Sequence, residues 1–218
     1  MSSLHPEGPM DESSRSVRKL GALVFPGFET LDLFGPLQIF GNARHLFDIV
    51  TVAHTAGPVR SAQGQSILAE VGFDECPELD FMLVPGGQGT RNLVDDEDHM
   101  TWISARAARC EITMSVCTGA ALLAGAGTLD GLRATTNKLA FEWVVSRGPG
   151  VDWVAEARWI DSGHVVTAAG VSAGIDMALA VVARLTDVET ARLLAQTAEY
   201  DWHDDPAWDP FARLAGLV

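Results

Sequence analysis

Cys117 is the residue around which chemistry can be built. It lies in Ser115-Val116-Cys117-Thr118-Gly119, where a β-rich run from Ile112 to Val116 gives way to an Ala/Leu segment of high helix propensity. A Ser-x-Cys-x-Gly frame has the form of a nucleophile elbow, in which small flanking residues let the backbone turn sharply and expose the central side chain. A thiol there also stands at a helix N-terminus, whose dipole and free N–H groups favour the thiolate over a thiol of ordinary pKa, about 8.5. Free cysteine is often just a small core residue. With no such frame, Cys76 and Cys110 are read that way, and Cys117 is taken as the candidate nucleophile.

Such a nucleophile normally works with a His base held by a carboxylate. The six His are His5, His45, His54, His99, His164 and His203; none adjoins Cys117, and Thr118 occupies the position after it. That counts against proteolysis. No pair of His or Cys shows metal-ligand spacing, so neither metal nor cofactor is expected. Asp32 is left for proton transfer. Before a helix its ordinary role would be a turn cap, but it follows the first apolar run at the edge of an α/β sheet where ligands bind. Partly desolvated beside a thiolate, its pKa would rise and it could stay protonated as an acid. The loop Pro85-Gly86-Gly87-Gln88-Gly89-Thr90 lets backbone N–H groups approach a ligand closely and can form half of an oxyanion hole. As a phosphate loop it lacks the Gly-Lys-Ser/Thr ending.

The elements that must position these groups alternate between strand and helix. Leu20 to Phe25, Phe47 to Ala53, Leu79 to Val84 and Ile112 to Val116 are apolar runs of strand length, suited to strands covered on both faces. Asp32 is expected on the turn after the first of them, with Pro36 in the first turn of the helix that follows. Thr55 to Ser61 with Ile67 to Val71, and Ala157 to Ile160 with His164 to Ala168, read as hairpins. Helices are expected over 98–108, from Thr118 onward, over 137–147 with Asn137 as cap, and over 171–185 and 188–200. Arg133 to Thr136 is a short strand. The pattern predicts a layered α/β/α sandwich with a mainly parallel sheet.

The chain has 218 residues, of which 47% are hydrophobic, enough for one sizeable core. Residues 1–18 are polar, without the apolar core of a secretory signal, and are expected to be a loose tail. Residues 19–218 are expected to form one α/β domain. Its end, 201–218, is rich in Trp and Asp; it either closes over a pocket or joins an interface, with a surface-packed tail the equal alternative. The excess of 29 Asp and Glu over 15 Lys and Arg gives a net charge of −14, which opposes binding to nucleic acid. Three Cys without paired spacing suit a reducing compartment. No apolar run reaches the roughly 20 residues a membrane helix needs. A soluble cytoplasmic protein acting on a small molecule is the expectation.

At these residues the sequence resembles the ThiJ/PfpI superfamily, and within it the isocyanide hydratases, over about residues 19 to 200. The matching pieces are Leu31-Asp32-Leu33-x-Gly35-Pro36, Pro85-Gly86-Gly87, Ser115-Val116-Cys117-Thr118-Gly119, Arg133-Ala134-Thr135-Thr136 and Gly170-Val171-Ser172-Ala173-Gly174-Ile175-Asp176. Cys-Thr-Gly in place of Cys-His-Gly separates the hydratase-like and AraC-type sensor branches from the protease, deglycase and glyoxalase branches. The resemblance implies a flavodoxin-like homodimer with Cys117 as nucleophile, Asp32 as general acid/base and Thr118 supporting the site. It also implies Gly86, Gly87, Gly35 and Gly170 on the oxyanion and substrate-binding side. Hydratase-like members commonly carry His-Trp after the Thr-Thr pair, where this chain has Asn137-Lys138, and Phe34 replaces a Thr in the Asp32 loop. Both changes bear on the substrate pocket.

The activity so implied is hydration of an isocyanide to an N-substituted formamide without a cofactor. Cys117 would attack the terminal carbon to give a thioimidate with Asp32 as proton donor, and Asp32 would then activate the water that releases product. The N–H groups of Thr118 and of the Gly86-Gly87 loop would polarise the intermediate. The rival readings are a non-enzymatic ligand sensor, aldehyde chemistry of the deglycase or glyoxalase kind, and redox sensing by Cys117. A sensor of the AraC type would need a separate partner, since about 18 residues after Tyr200 are too few for a helix-turn-helix unit.

Overall fold

The computed structural model describes residues 17–218, so the tail expected over the first 18 residues falls, for 1–16, outside the described residues. The first strand, β1 (Arg18–Leu23), starts inside that expected tail. It leads into α1 (Thr30–Asn42), β2 (Phe47–Val52), the hairpin β3 (Gly57–Arg60) and β4 (Ser66–Ala69), and β5 (Phe81–Val84). The short α2 (Thr90–Leu93) and α3 (Glu97–Ala107) precede β6 (Ile112–Val116) and α4 (Gly119–Gly125). Then come β7 (Arg133–Ala134), α5 (Phe141–Val145), β8 (Asp152–Trp153), β9 (Trp159–Asp161), β10 (Val165–Ala168), α6 (Ala173–Leu185), α7 (Val188–Thr197) and α8 (Phe211–Leu214).

The main sheet runs β2-β1-β5-β6-β10-β9. Its first five strands are parallel and β9 is an antiparallel edge. Every residue of β5, β6 and β10 is buried, as strands covered on both faces must be, and this is why they read as continuous apolar runs. Helices α1, α6 and α7 pack on one another, while α2, α3 and α5 pack around α4, so that the sheet is flanked by helices in the flavodoxin-like manner. Leu33, Ile39 and Phe40 of α1, Leu122 and Leu123 of α4, and Met177, Leu179 and Val182 of α6 are fully buried. Each such side chain contributes about 1.5–3 kcal/mol relative to exposure.

Two expectations need correction. Helix α1 begins at Thr30 and carries Pro36 inside it, so Asp32 sits in the first helical turn and not on the loop before. Pro36 removes one intrahelical N–H, the bond that would have returned to the Asp32 carbonyl. The helix expected over 137–147 is only Phe141–Val145; Asn137 caps a turn ahead of it, its Oδ1 accepting from Ala140 N at 3.0 Å.

The chain after α7 is pinned to the body by buried charge. Arg158 Nε donates to Asp176 Oδ2 at 2.8 Å, and its Nη2 to Ser172 Oγ at 3.1 Å. Asp176 in α6 also accepts the His203 N–H at 3.1 Å. The Trp208 ring stacks on His203, with centroids 4.0 Å apart, and lies under the Arg158 guanidinium. Both members of the Arg158–Asp176 pair are almost completely buried. Removing one partner of such a pair strands the other charge at a cost of about 3–5 kcal/mol. Asp176→Ala is therefore expected to lower unfolding stability by about that amount in urea denaturation and to speed proteolytic cleavage near His203. A loss below about 1 kcal/mol would show that the pair does not hold the tail.

Candidate active site

Four segments converge where the parallel strands end. Strand β1 leads to α1 and Asp32, β5 to the Gly86-Gly87 loop, β6 to Cys117, and β10 to residues 169–172. Cys117 has φ 58°, in the left-handed region that an elbow requires and that most L-residues avoid. Its backbone is held there by Cys117 N donating to Ala169 O at 2.7 Å and by Thr136 Oγ1 donating to Cys117 O at 2.7 Å. Gly119 lets the elbow press on the neighbouring strand: a Cβ there would stand 2.2 Å from Val84 O.

Asp32 is completely buried. Its Oδ2 accepts the Gly86 N–H at 2.9 Å, whereas Oδ1 has no well-aligned donor. The Cys117 thiol acts on the carboxyl as a weak hydrogen-bond donor. Burial is the largest influence and raises the Asp32 pKa to about 7; Gly86 N–H opposes it, the Glu29 charge adds to it, and the thiol opposes it. The acid expected from the sequence is thus present, with burial as its chief cause.

The thiolate expected from the helix terminus is not. Burial, and then the Asp32 charge, push the Cys117 thiol well above the ordinary range. The N–H groups of Thr118 and Val171 both face the sulfur and favour the anion, but they do not outweigh the loss of water. Cys117 is only 7% exposed, and α4 spans less than two turns. Near neutral pH the pair therefore loses its first proton from Asp32 and keeps the one on sulfur.

The glycine loop also plays a different part from the one expected. Gly86 N–H is taken by Asp32 and Gly87 N–H by Thr118 Oγ1, at 2.9 and 3.0 Å. Neither is free for a reaction intermediate. The Thr118 hydroxyl further meets Thr90 Oγ1 at 3.1 Å, so Thr118 tethers the loop over the elbow. Gly35 sits at the contact of α1 with α6, where a Cβ would fall 2.8 Å from Ile175 Cγ1, and Gly170 abuts Asn137, where a Cβ would fall 2.8 Å from Nδ2. His99 is buried, with Nδ1 2.6 Å from Asp96 Oδ1. Sequence reasoning missed Val171 and Glu29. Val171 contributes only a backbone N–H, which no side-chain type announces; it too has positive φ, 41°. Glu29, at the N-cap of α1, acts through charge on Asp32 three residues on and, across the fold, on Cys117.

The model for the DJ-1/PfpI family matches residues 18–184. The chain belongs to the DJ-1/PfpI family. It is 35% identical to an isonitrile hydratase of Pseudomonas putida over 182 residues, 84% of this chain and 78% of that protein. It is 26% identical to the HTH-type transcriptional regulator GbdR of Pseudomonas aeruginosa over 193 residues, 86% of this chain but only 52% of the regulator, so that it spans about half of that relative. Among solved structures, a ThiJ/PfpI family protein from Pseudomonas syringae superimposes with a TM-score of 0.80 at 31% identity, covering 94% of this chain and 85% of that one. The DJ-1/PfpI family thus accounts for the sheet and its elbow, and it includes proteins named as enzymes and as regulators.

Asp32 also makes a pH signature of its own. Its folded pKa of about 7 lies above the ordinary 3.8 of an aspartate, so the folded state holds the proton more tightly than the unfolded chain. That contribution is complete below about pH 4 and is lost as pH rises through 7. Asp32→Asn, which still offers an oxygen to Gly86 N–H, is expected to leave stability at pH 4 nearly unchanged. At pH 8 it should raise stability by roughly 1–3 kcal/mol. Urea midpoints at the two pH values measure this; equal shifts at both would rule out a buried carboxyl titrating between them.

Proposed function

We propose that the protein hydrates an isocyanide, R–NC, to the N-substituted formamide R–NH–CHO, with Cys117 as nucleophile and Asp32 as proton carrier. The observation that carries this reading is the buried pair itself: a thiol beside a carboxyl whose pKa is raised to about 7 and whose second oxygen lacks a well-aligned donor. The 35% identity to an isonitrile hydratase supports it. The carbon of an isocyanide takes a nucleophile and a proton at the same atom, so the two groups must stand together.

In this mechanism the Asp32 carboxylate takes the thiol proton as the Cys117 sulfur bonds to the terminal carbon. Asp32 then returns that proton to the same carbon, giving the thioimidate R–N=CH–S–Cys117. Water adds next: Asp32 removes its proton while the C–O bond forms and delivers that proton to the nitrogen. Collapse breaks the C–S bond and releases R–NH–CHO as the hydroxyl proton passes through Asp32 to the leaving sulfur, which returns Cys117 and Asp32 to their starting protonation. The Thr118 and Val171 N–H groups, which face the sulfur, stabilise charge as it develops there and as the thiolate leaves. The Gly86 and Thr118 contacts keep the carboxyl and the elbow in register.

A second copy of the chain would cover the exposed Leu31 and Phe34 of α1, and a homodimer is part of this proposal. The regulator relative favours a second reading, ligand sensing without turnover, in which the same pocket binds but Cys117 does not react.

Cys117→Ala and Asp32→Asn are each expected to reduce formamide production from an alkyl isocyanide by at least about 10³-fold, followed by gas chromatography or NMR. The wild-type kcat/KM should fall as pH drops below about 7, where Asp32 takes up its proton. Undiminished turnover in either variant would overturn the mechanism. Binding of isocyanide by the wild type with no formamide formed would favour the sensor.

A further inference from the structure

A cavity of about 220 Å³ lies against the 169–172 segment and is not used by the proton transfers above. One wall is Ala169, Gly170 and Val171; a second is the 137–139 segment; the third is the C-terminal strap, through Asp209 and Phe211. Val171 belongs to both places, since its N–H faces the Cys117 sulfur while the residue lines the cavity. The second wall is tied to the elbow as well, because Thr136 Oγ1, next to Asn137, holds the Cys117 carbonyl.

The charges in this cavity cancel as one buried ion pair. Lys138 Nζ stands 2.8 Å from Asp209 Oδ2, with both side chains at least 95% buried. Nζ also donates to Thr135 Oγ1 and to Ala157 O, each at 2.9 Å. Two donors of the ammonium thus meet acceptors in the wall, and its charge faces Asp209 Oδ2, which takes no well-aligned hydrogen bond of its own. Asp209 Oδ1 accepts the Phe211 N–H at 2.9 Å, so the ion pair sets where Phe211 enters the wall. The large apolar side chains left to greet a ligand are Leu139, Val171 and Phe211, beside Asn137 and Ser172, whose oxygens already accept from Ala140 N and Arg158 Nη2. Leu139 is 92% exposed and Phe211 48%, an apolar rim on a chain whose other large apolar residues are mostly buried. The volume is below the roughly 300 Å³ at which drug-sized pockets begin, which suits a small ring or a branched alkyl group.

We propose that this cavity is the subsite for the apolar R group of the substrate, and that the strap, through Phe211, selects among R groups. The inference rests on the hydration reading. It gives the buried Lys138–Asp209 pair a purpose: fixing the third wall without offering charge to the ligand. An uncharged, compact hydrocarbon substituent is the class that fits, while a charged substituent would have to compete with the Lys138–Asp209 ion pair for its partner.

The test uses the full chain with two variants, Phe211→Ala and Leu139→Ala, whose folding is checked by circular dichroism and thermal melting. Both positions are exposed enough that the fold does not depend on them. The ratio of kcat/KM for cyclohexyl over methyl isocyanide is expected to fall roughly tenfold in Phe211→Ala and about threefold in Leu139→Ala. Calorimetric binding of N-cyclohexylformamide should weaken in the same proportions, a readout that needs no turnover. An unchanged ratio in both variants overturns the subsite, and so does a change in oligomeric state that leaves the ratio intact. If the wild type turns over no isocyanide yet binds the formamide in a Phe211-dependent way, the subsite stands and the hydration reading falls. If it does neither, both fall.

Discussion

The site depends on an atom that is missing. A Cβ on Gly86 would stand 2.5 Å from Thr118 N, 2.7 Å from Thr118 Oγ1 and 2.8 Å from Asp32 Oδ2. None of these groups can retreat, for each is held by the end of a strand or by the turn of a helix. Because Gly86 has no side chain, the loop after β5 can lie flat against the elbow and its N–H can reach a carboxyl that no water reaches. Close approach of backbone to backbone thus creates both the low-dielectric setting of Asp32 and the hydrogen bond that makes it tolerable.

That setting changes the chemistry from what isolated residues would do. A cysteine at a helix terminus is ordinarily activated by being made more acidic. Here burial works the other way and keeps the proton on sulfur, while the same burial raises the carboxyl towards neutrality. Both shifts favour the protonated form, but the carboxyl still gives up its proton first, leaving one acid and one base of unlike kind within reach of one carbon. Proton transfer inside a buried pair needs no exchange with solvent, an advantage when the proton removed from sulfur must return to the substrate.

Charge buried elsewhere does mechanical work. The Arg158–Asp176 and Lys138–Asp209 pairs fasten the chain after α7 to the sheet edge and to the 137–139 segment. Each is surrounded by further donors and acceptors, the condition under which a buried ion pair repays the loss of its hydration. Both lie beside the 169–172 segment, so the last residues of the chain share a border with the elbow, far from it in sequence.

The sequence alone determined the sheet and its elbow, because their signals are local. Continuous apolar runs in β5, β6 and β10 announce strands covered on both faces, and Ser115-x-Cys117-x-Gly119 announces a sharp turn wherever it occurs. Asp32 was legible from its place after the first strand, but only tertiary structure could show it in a helical turn with Gly86 N–H on one oxygen. Ionisation was decided by the fold, since it follows from desolvation, a property of everything that surrounds a group and not of its neighbours in the chain. The same holds for the committed N–H groups of the glycine loop, for the Val171 N–H at the sulfur, and for Lys138 and Asp209. These last are separated by 71 positions in the sequence, and no pattern of residue types marks two opposite charges as partners until the core has closed around them.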